Sequence, residues 1–176
     1  SMWTMVMGGT DLGWRSLHAD LPPQRRAMCA ARVEDFVRAL RVADPPRPLE
    51  QVRIDDARDS VRRLHPDHLP ELARTAFAVA ADPRHPFHPC APALFAEILG
   101  ADLPVTWRPL QVATIAACID LLIGGADPVV RGKAFALVQP HVGDVAAYAP
   151  DALEIVRREA ALKIRAEWED VAQWRF

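Results

Sequence analysis

The stretch HPDHLPELARTAFAVAADPRHPFHPC, residues 65 to 90, holds four of the chain's six histidines and one of its three cysteines. His65-x-x-His68 and His85-x-x-His88-x-Cys90 are the residue types that zinc prefers, since it takes nitrogen and sulfur ligands in tetrahedral sets. The apolar spacing between the two pairs predicts a helix over 69 to 81. Such a helix is roughly 20 Å long, which keeps its two ends out of one coordination sphere. The local trio His85, His88 and Cys90 remains as a three-ligand zinc candidate. The alternative is a set of loop histidines satisfied by backbone and solvent. His65, His85 and His88 each precede a proline, and pre-proline backbone is pushed to extended conformations, so the rings need not converge.

Cys90 stands at the start of a short predicted helix, where the helix dipole can acidify a thiol. With His88 two residues away, a Cys–His nucleophile is a second candidate chemistry, although no orienting third group accompanies it. Other catalytic signatures are missing. Gly8-Gly9 and Gly124-Gly125 lack the spacing of a phosphate loop or dinucleotide fingerprint, and no nucleophile elbow or HExxH pair occurs.

The charge balance of 21 basic against 23 acidic residues gives −2, so no global field draws nucleic acid or anionic lipid. Arg25-Arg26, Arg62-Arg63 and Arg157-Arg158 are interleaved with acids, as on solvated helix faces. The cysteines Cys29, Cys90 and Cys118 are few and scattered, which reads as reduced thiols of a cytoplasmic protein. The greasiest stretch, Val112 to Ile123, falls short of the ~20 apolar residues a bilayer needs, so no membrane partner is expected. Ser1-Met2 reads as the remnant of a cleaved tag. The richness in Arg, Ala, Pro and Asp suits a GC-rich bacterial genome.

The elements that would position these residues are helical. Strand signals are confined to Trp3–Met7, whereas 3.6-residue periodicity recurs along the chain. It predicts helices at 23–42, 49–64, 69–81, 91–99, 107–123 and 128–139, a turn of helix at 144–149, and a last helix from a box-like cap at Asp151 to Glu154. Leu49, Val52, Val61 and Leu64 form the inward stripe of the second helix. Leu153, Val156, Ala160, Ile164, Trp168 and Val171 form that of the last. Thr106 is the expected cap of the helix at 107–123, which is apolar on almost every side and should lie at the centre. The expected fold is a single all-α domain over 1–176 with seven or eight helices, preceded within it by an N-terminal arm at 1–21.

The tripeptide Ala-Asp-Pro recurs at 43, 81 and 126, at spacings of 38 and 45 residues. Each copy follows an apolar helix, where Asp can cap and Pro can start the next one. Around the third copy, Leu121-Leu122, Asp127-Pro128-Val129-Val130-Arg131, Ala134 and Leu137-Val138 together resemble the core of a HEAT/armadillo-type repeat. The resemblance covers one repeat, about residues 121–138, and the first two copies lack the Val-Arg that follows in the third. It implies stacked helix pairs, with Asp127 and Arg131 on an inner face. A compact helical bundle is the alternative architecture.

These features favour a protein–protein interaction module (an adaptor, regulator or immunity-type protein) without catalytic activity. Its partner is another protein, and the binding candidates are Arg131 together with an aromatic cluster of Trp3 and Trp174. A metal- or thiol-dependent enzyme centred on His85, His88 and Cys90 is the first alternative. A nucleic-acid-binding helical repeat is the second.

Overall fold

The computed structural model describes residues 20–103 and 105–175, with the side chains of 106, 174 and 175 excepted. Among the described residues there are seven α-helices and no strand. They are α1 (Pro23–Leu40), α2 (Pro48–Arg62), α3 (His68–Ala81), α4 (Ala91–Gly100), α5 (Arg108–Gly124), α6 (Pro128–Val142) and α7 (Glu154–Arg175). Short 3-10 turns at His88–Cys90 and Val105–Trp107 lead into α4 and α5.

Proline starts five of these helices: α1, α2, α4, α5 and α6 each carry it in the first or second position. Its missing N–H falls among the donors that a first helical turn leaves unused in any case. Two expected boundaries move. α6 continues through Pro140 to Val142, because a proline in the last turn omits one hydrogen bond without breaking the rest. It stops at Gly143, whose φ of 67° lies in the left-handed region that favours glycine. The turn of helix expected at 144–149 is absent, and those residues form bends and loop instead. Tertiary contacts hold that segment: Gln139 Nε2 donates to Asp144 Oδ1 at 3.2 Å, and Tyr148 reaches back to α5.

The all-round apolarity of α5 has the expected consequence. Every residue from Val112 to Ile119 is buried, and the helix packs on α3, α4, α6 and α7. α1 pairs with α2 and lies against α3, while α4 sits between α3 and α5. Phe36 from α1, Phe95 from α4 and Trp168 from α7 are fully buried large side chains. Each such aromatic removes enough apolar surface from water to stabilise the fold by about 2–3 kcal/mol. Arginines tie the layers at their edges. Arg58 and Arg62 of α2 both meet the Glu97 carboxylate of α4, at 2.7 and 3.0 Å, and Arg25 of α1 reaches Asp67 ahead of α3 at 2.8 Å.

Two predicted apolar stripes are buried only in part. In α2, Ile54 and Val61 are buried, but Leu49 is 76% exposed and Val52 54%. In α7, Ala160, Ala161, Ile164, Trp168 and Ala172 are buried, whereas Leu153 and Val156 lie in solvent. Both exposed pairs lie at the N-terminal end of a helix, within its first five residues or just before it.

The three Ala-Asp-Pro copies serve different local purposes. Asp127 caps α6, its Oδ1 accepting from the Val130 N–H at 2.9 Å. Asp82 accepts from the Arg84 N–H at 3.0 Å within a turn. Asp44 pairs with Lys133 Nζ at 2.6 Å, joining the α1–α2 connection to α6.

Candidate functional site

The loop from Asp82 to Cys90, between α3 and α4, carries His85, His88 and Cys90, and the fold separates them. His88 is fully buried. Its Nδ1 lies 2.8 Å from the Val79 carbonyl oxygen and donates to it, while its Nε2 accepts from the Ala126 N–H at 3.2 Å. This is the neutral tautomer with the proton on Nδ1, assigned from the hydrogen-bond network. Both nitrogens are thus engaged, and the ring clamps the end of α3 to the turn between α5 and α6. Cys90 is buried at the start of α4, and burial pushes its thiol up rather than acidifying it. His85 stands apart, with Nδ1 accepting from the Phe87 N–H at 3.1 Å. Among the described residues, no group of three or more His, Cys, Asp or Glu side chains could hold a metal ion. The candidate trio is therefore not assembled as a ligand set, because two of its three members, His88 and Cys90, are buried in the core.

Of the other pair, His68 opens α3 and is 4% exposed, with its Nδ1 buried and without a hydrogen-bond partner. Burial, reinforced by the charge of His65, lowers its pKa to about 4. It is a core residue.

Arg131 also differs from its expected place on the surface. It is 8% exposed, with Nε donating to the Pro150 carbonyl at 2.7 Å and Nη1 to the Gly125 carbonyl at 3.0 Å. It belongs to a cage around the C-terminus of α5. Tyr148 donates to the Leu122 carbonyl at 2.5 Å, and Arg157 Nη2 to the Ile123 carbonyl at 3.3 Å. The last carbonyls of a helix lack intrahelical donors and carry its negative dipole end, so two guanidiniums and a phenol are well matched to them. Gly125 makes room for the cage: a Cβ there would stand 2.7 Å from the Leu121 oxygen and 2.9 Å from Arg131 Cγ. The presence of Arg131 was legible in the sequence, but its inward direction was not. The side chains of Trp3, Trp174 and Thr106 lie outside the described residues.

A cleft of about 530 Å³ opens between α1 and α3 beside the histidine loop. Val37 and Glu34 come from α1, Glu71, Arg74 and Val79 from α3, and His85 and Phe87 from the loop. The small side chains of Ala30, Thr75 and Ala78 leave the space open. Its volume is within the range of sites that receive one ligand or a few side chains. Glu71 is 5% exposed, and both of its carboxylate oxygens lie 2.7 Å from Arg74 Nη2. Glu34 on the facing wall pairs with Arg38 Nη2 at 2.5 Å. Arg41, just past α1, places its guanidinium 5.4 Å from the centre of the Phe87 ring. Of the sequence-flagged residues only His85 reaches this cleft. Sequence spacing offers no signal for the rest, because the two walls are more than 30 residues apart in the chain.

A second surface feature lies on α7. Leu153, Ile155, Val156 and Leu162 are large aliphatic side chains exposed by half or more, all within residues 153–162. Among the described residues no helix is long and apolar enough to cross a membrane. No family model, no curated protein and no solved structure matches the chain.

Proposed function

We propose that this chain is a protein–protein interaction module, of adaptor, regulator or immunity type, without catalytic activity of its own. The observation that carries the reading is the set of exposed aliphatic side chains along residues 153–162: Leu153 at 75%, Ile155 at 74%, Val156 at 50% and Leu162 at 51%. Apolar surface in water costs about 25 cal/mol per Å², and four large aliphatic side chains left exposed within ten residues mark a segment that a partner covers. HEAT-like stacking of helix pairs is the architecture we propose for it, on the strength of the spacing of the Ala-Asp-Pro turns. The free thiols Cys29, Cys90 and Cys118 support a reducing, cytoplasmic setting, and the Arg-, Ala- and Pro-rich composition supports a bacterial one.

The test is affinity capture from native cell extract with the wild-type chain and with the double variant Ile155→Glu, Leu162→Glu. Both positions are exposed, so circular dichroism of the variant should match wild type. The wild-type chain should retain a protein partner that the double variant loses. Retention of the same proteins by both, or of none by either, refutes the reading.

A further inference from the structure

Helix α7 carries two opposed stripes. Ala160, Ala161, Ile164, Trp168 and Ala172 are buried against the body of the protein. On the other side Ile155, Glu159, Leu162, Ala166, Asp170 and Gln173 are all exposed. They recur three or four residues apart, so they form one outward line along the helix. The first half of that line is aliphatic, with Ile155 and Leu162 exposed by half or more and Val156 beside them. We propose that this outward face of α7 is the docking surface for a basic amphipathic helix of the partner protein. The proposal rests on the protein-binding reading above and names the chemistry of the partner.

The charge left over on this helix is acidic, because its basic side chains are engaged within the chain. Arg157 donates to the Ala152 and Ile123 carbonyls, Arg165 pairs with Asp120, and Arg158 pairs with Glu154 at 3.0 Å. Lys163 lies 4.0 Å from Glu159. In the second half, Glu167, Glu169 and Asp170 make no ion pair among the described residues. Glu167 and Asp170 stand one turn apart with the same charge, an arrangement that works against the helix carrying it. No ion pair among the described residues offsets that repulsion, whereas a cation laid over it does.

The two halves together select the partner. A polycation without apolar side chains would meet the acids and leave Ile155 and Leu162 in water. An apolar helix would cover those two and leave the acids unpaired. A helix with an aliphatic stripe flanked by lysine or arginine satisfies both, its side chains at three and four residue spacings set against the outward line of α7. The helix offers 22 residues, roughly 33 Å at 1.5 Å per residue, as a track for that contact. A second copy of α7 is a poorer match, because it brings the same surplus of acid to the contact.

The probe is a designed helical peptide of the same length as α7, with leucine on one stripe, lysine flanking it and alanine elsewhere, titrated into the ¹⁵N-labelled full chain. One control replaces every lysine by glutamate, and a second keeps the composition in scrambled order. The lysine peptide should shift amides along α7 and bind at least tenfold more tightly than either control. Raising salt from about 0.05 M to about 0.5 M should weaken it severalfold, because screening shortens the reach of surface charge. Ile155→Glu with Leu162→Glu should weaken the lysine peptide about tenfold or more. Glu169→Lys with Asp170→Lys should weaken it severalfold and strengthen the glutamate peptide, with circular dichroism of both double variants at wild type. Shifts confined to other helices, equal binding of either control, or full binding by either double variant would overturn the proposal. A dimer of the chain that Ile155→Glu with Leu162→Glu abolishes would assign the face to a second copy and overturn it as well. Partner capture separates the two claims. If the wild-type chain retains a partner while the lysine peptide fails, the basic-helix assignment falls and the interaction module stands; if it retains none, the module reading itself falls.

Discussion

Acidification should destabilise this protein through one ring, that of His68. The side chain is 4% exposed at the first position of α3, and its pKa is lowered from 6.5 to about 4. Burial is the main cause and the His65 charge the second; a backbone bond to Leu64 and the carboxylates of Glu97 and Asp67 oppose them only partly. The unfolded chain therefore takes up a proton near pH 6.5 that the folded chain refuses until about pH 4. Between those values the unfolded state binds more protons, so stability is complete above the upper pKa and is lost as pH falls toward the lower one. At 1.36 kcal/mol per unit, the loss between pH 7.5 and pH 5 is about 2 kcal/mol, and it approaches about 3 kcal/mol at pH 4. That is a sizeable part of the ~5–15 kcal/mol that holds a domain together. The assay is urea unfolding followed by circular dichroism at pH 7.5 and pH 5, on the wild-type chain and on His68→Leu. Contributions of other titrating groups cancel in the comparison. The variant should lose about 2 kcal/mol less than wild type over this interval, at an unchanged m-value. Equal losses would refute the assignment of His68 as the acid-labile group.

Three further outcomes are expected at other buried side chains. His88→Ala removes the clamp between Val79 and Ala126 and leaves a buried carbonyl and N–H without partners, so it should cost about 3 kcal/mol in chemical unfolding; a change below 1 kcal/mol would show that the clamp is not formed. Arg131→Met should destabilise by about 2 kcal/mol through loss of its bonds to the Gly125 carbonyl just past α5 and the Pro150 carbonyl ahead of α7, visible as a lower melting temperature, whereas a surface binding residue would leave melting unchanged. All three cysteines are buried and their thiol pKa values are raised by burial, most strongly at Cys118. Native protein should react with a thiol reagent far more slowly than the urea-unfolded chain, and rapid native labelling of Cys90 would point to an open, reactive site.

The helices were legible because the signals that set them are local. A proline at the first turn, a capping Asp127 and a glycine at the end of α5 act on the residues beside them, and the structure keeps these boundaries within a few residues. The central place of α5 was legible too, since a helix apolar on all sides has no stable position except among other helices. The candidate site was mostly not legible. Of the histidine–cysteine trio, only His85 faces the cleft, and Glu34, Glu71 and Phe87 belong to no motif. The stripe on α7 shows where the limit lies. Leu153 and Ile164 repeat at helical spacing, yet one is 75% exposed and the other buried.

By itself the sequence pointed to seven or eight helical stretches, of which the short one at 144–149 does not form, with one apolar all round and no signature of a known chemistry. The tertiary structure decided what each side chain meets. It turned His88 and Arg131 into internal clamps, left the first turn of α7 uncovered, and brought two distant walls together around a buried carboxylate. Helical periodicity reports the direction of a side chain relative to its own axis within a few residues. Whether another helix stands in that direction depends on contacts made dozens of residues away, and no local pattern encodes them.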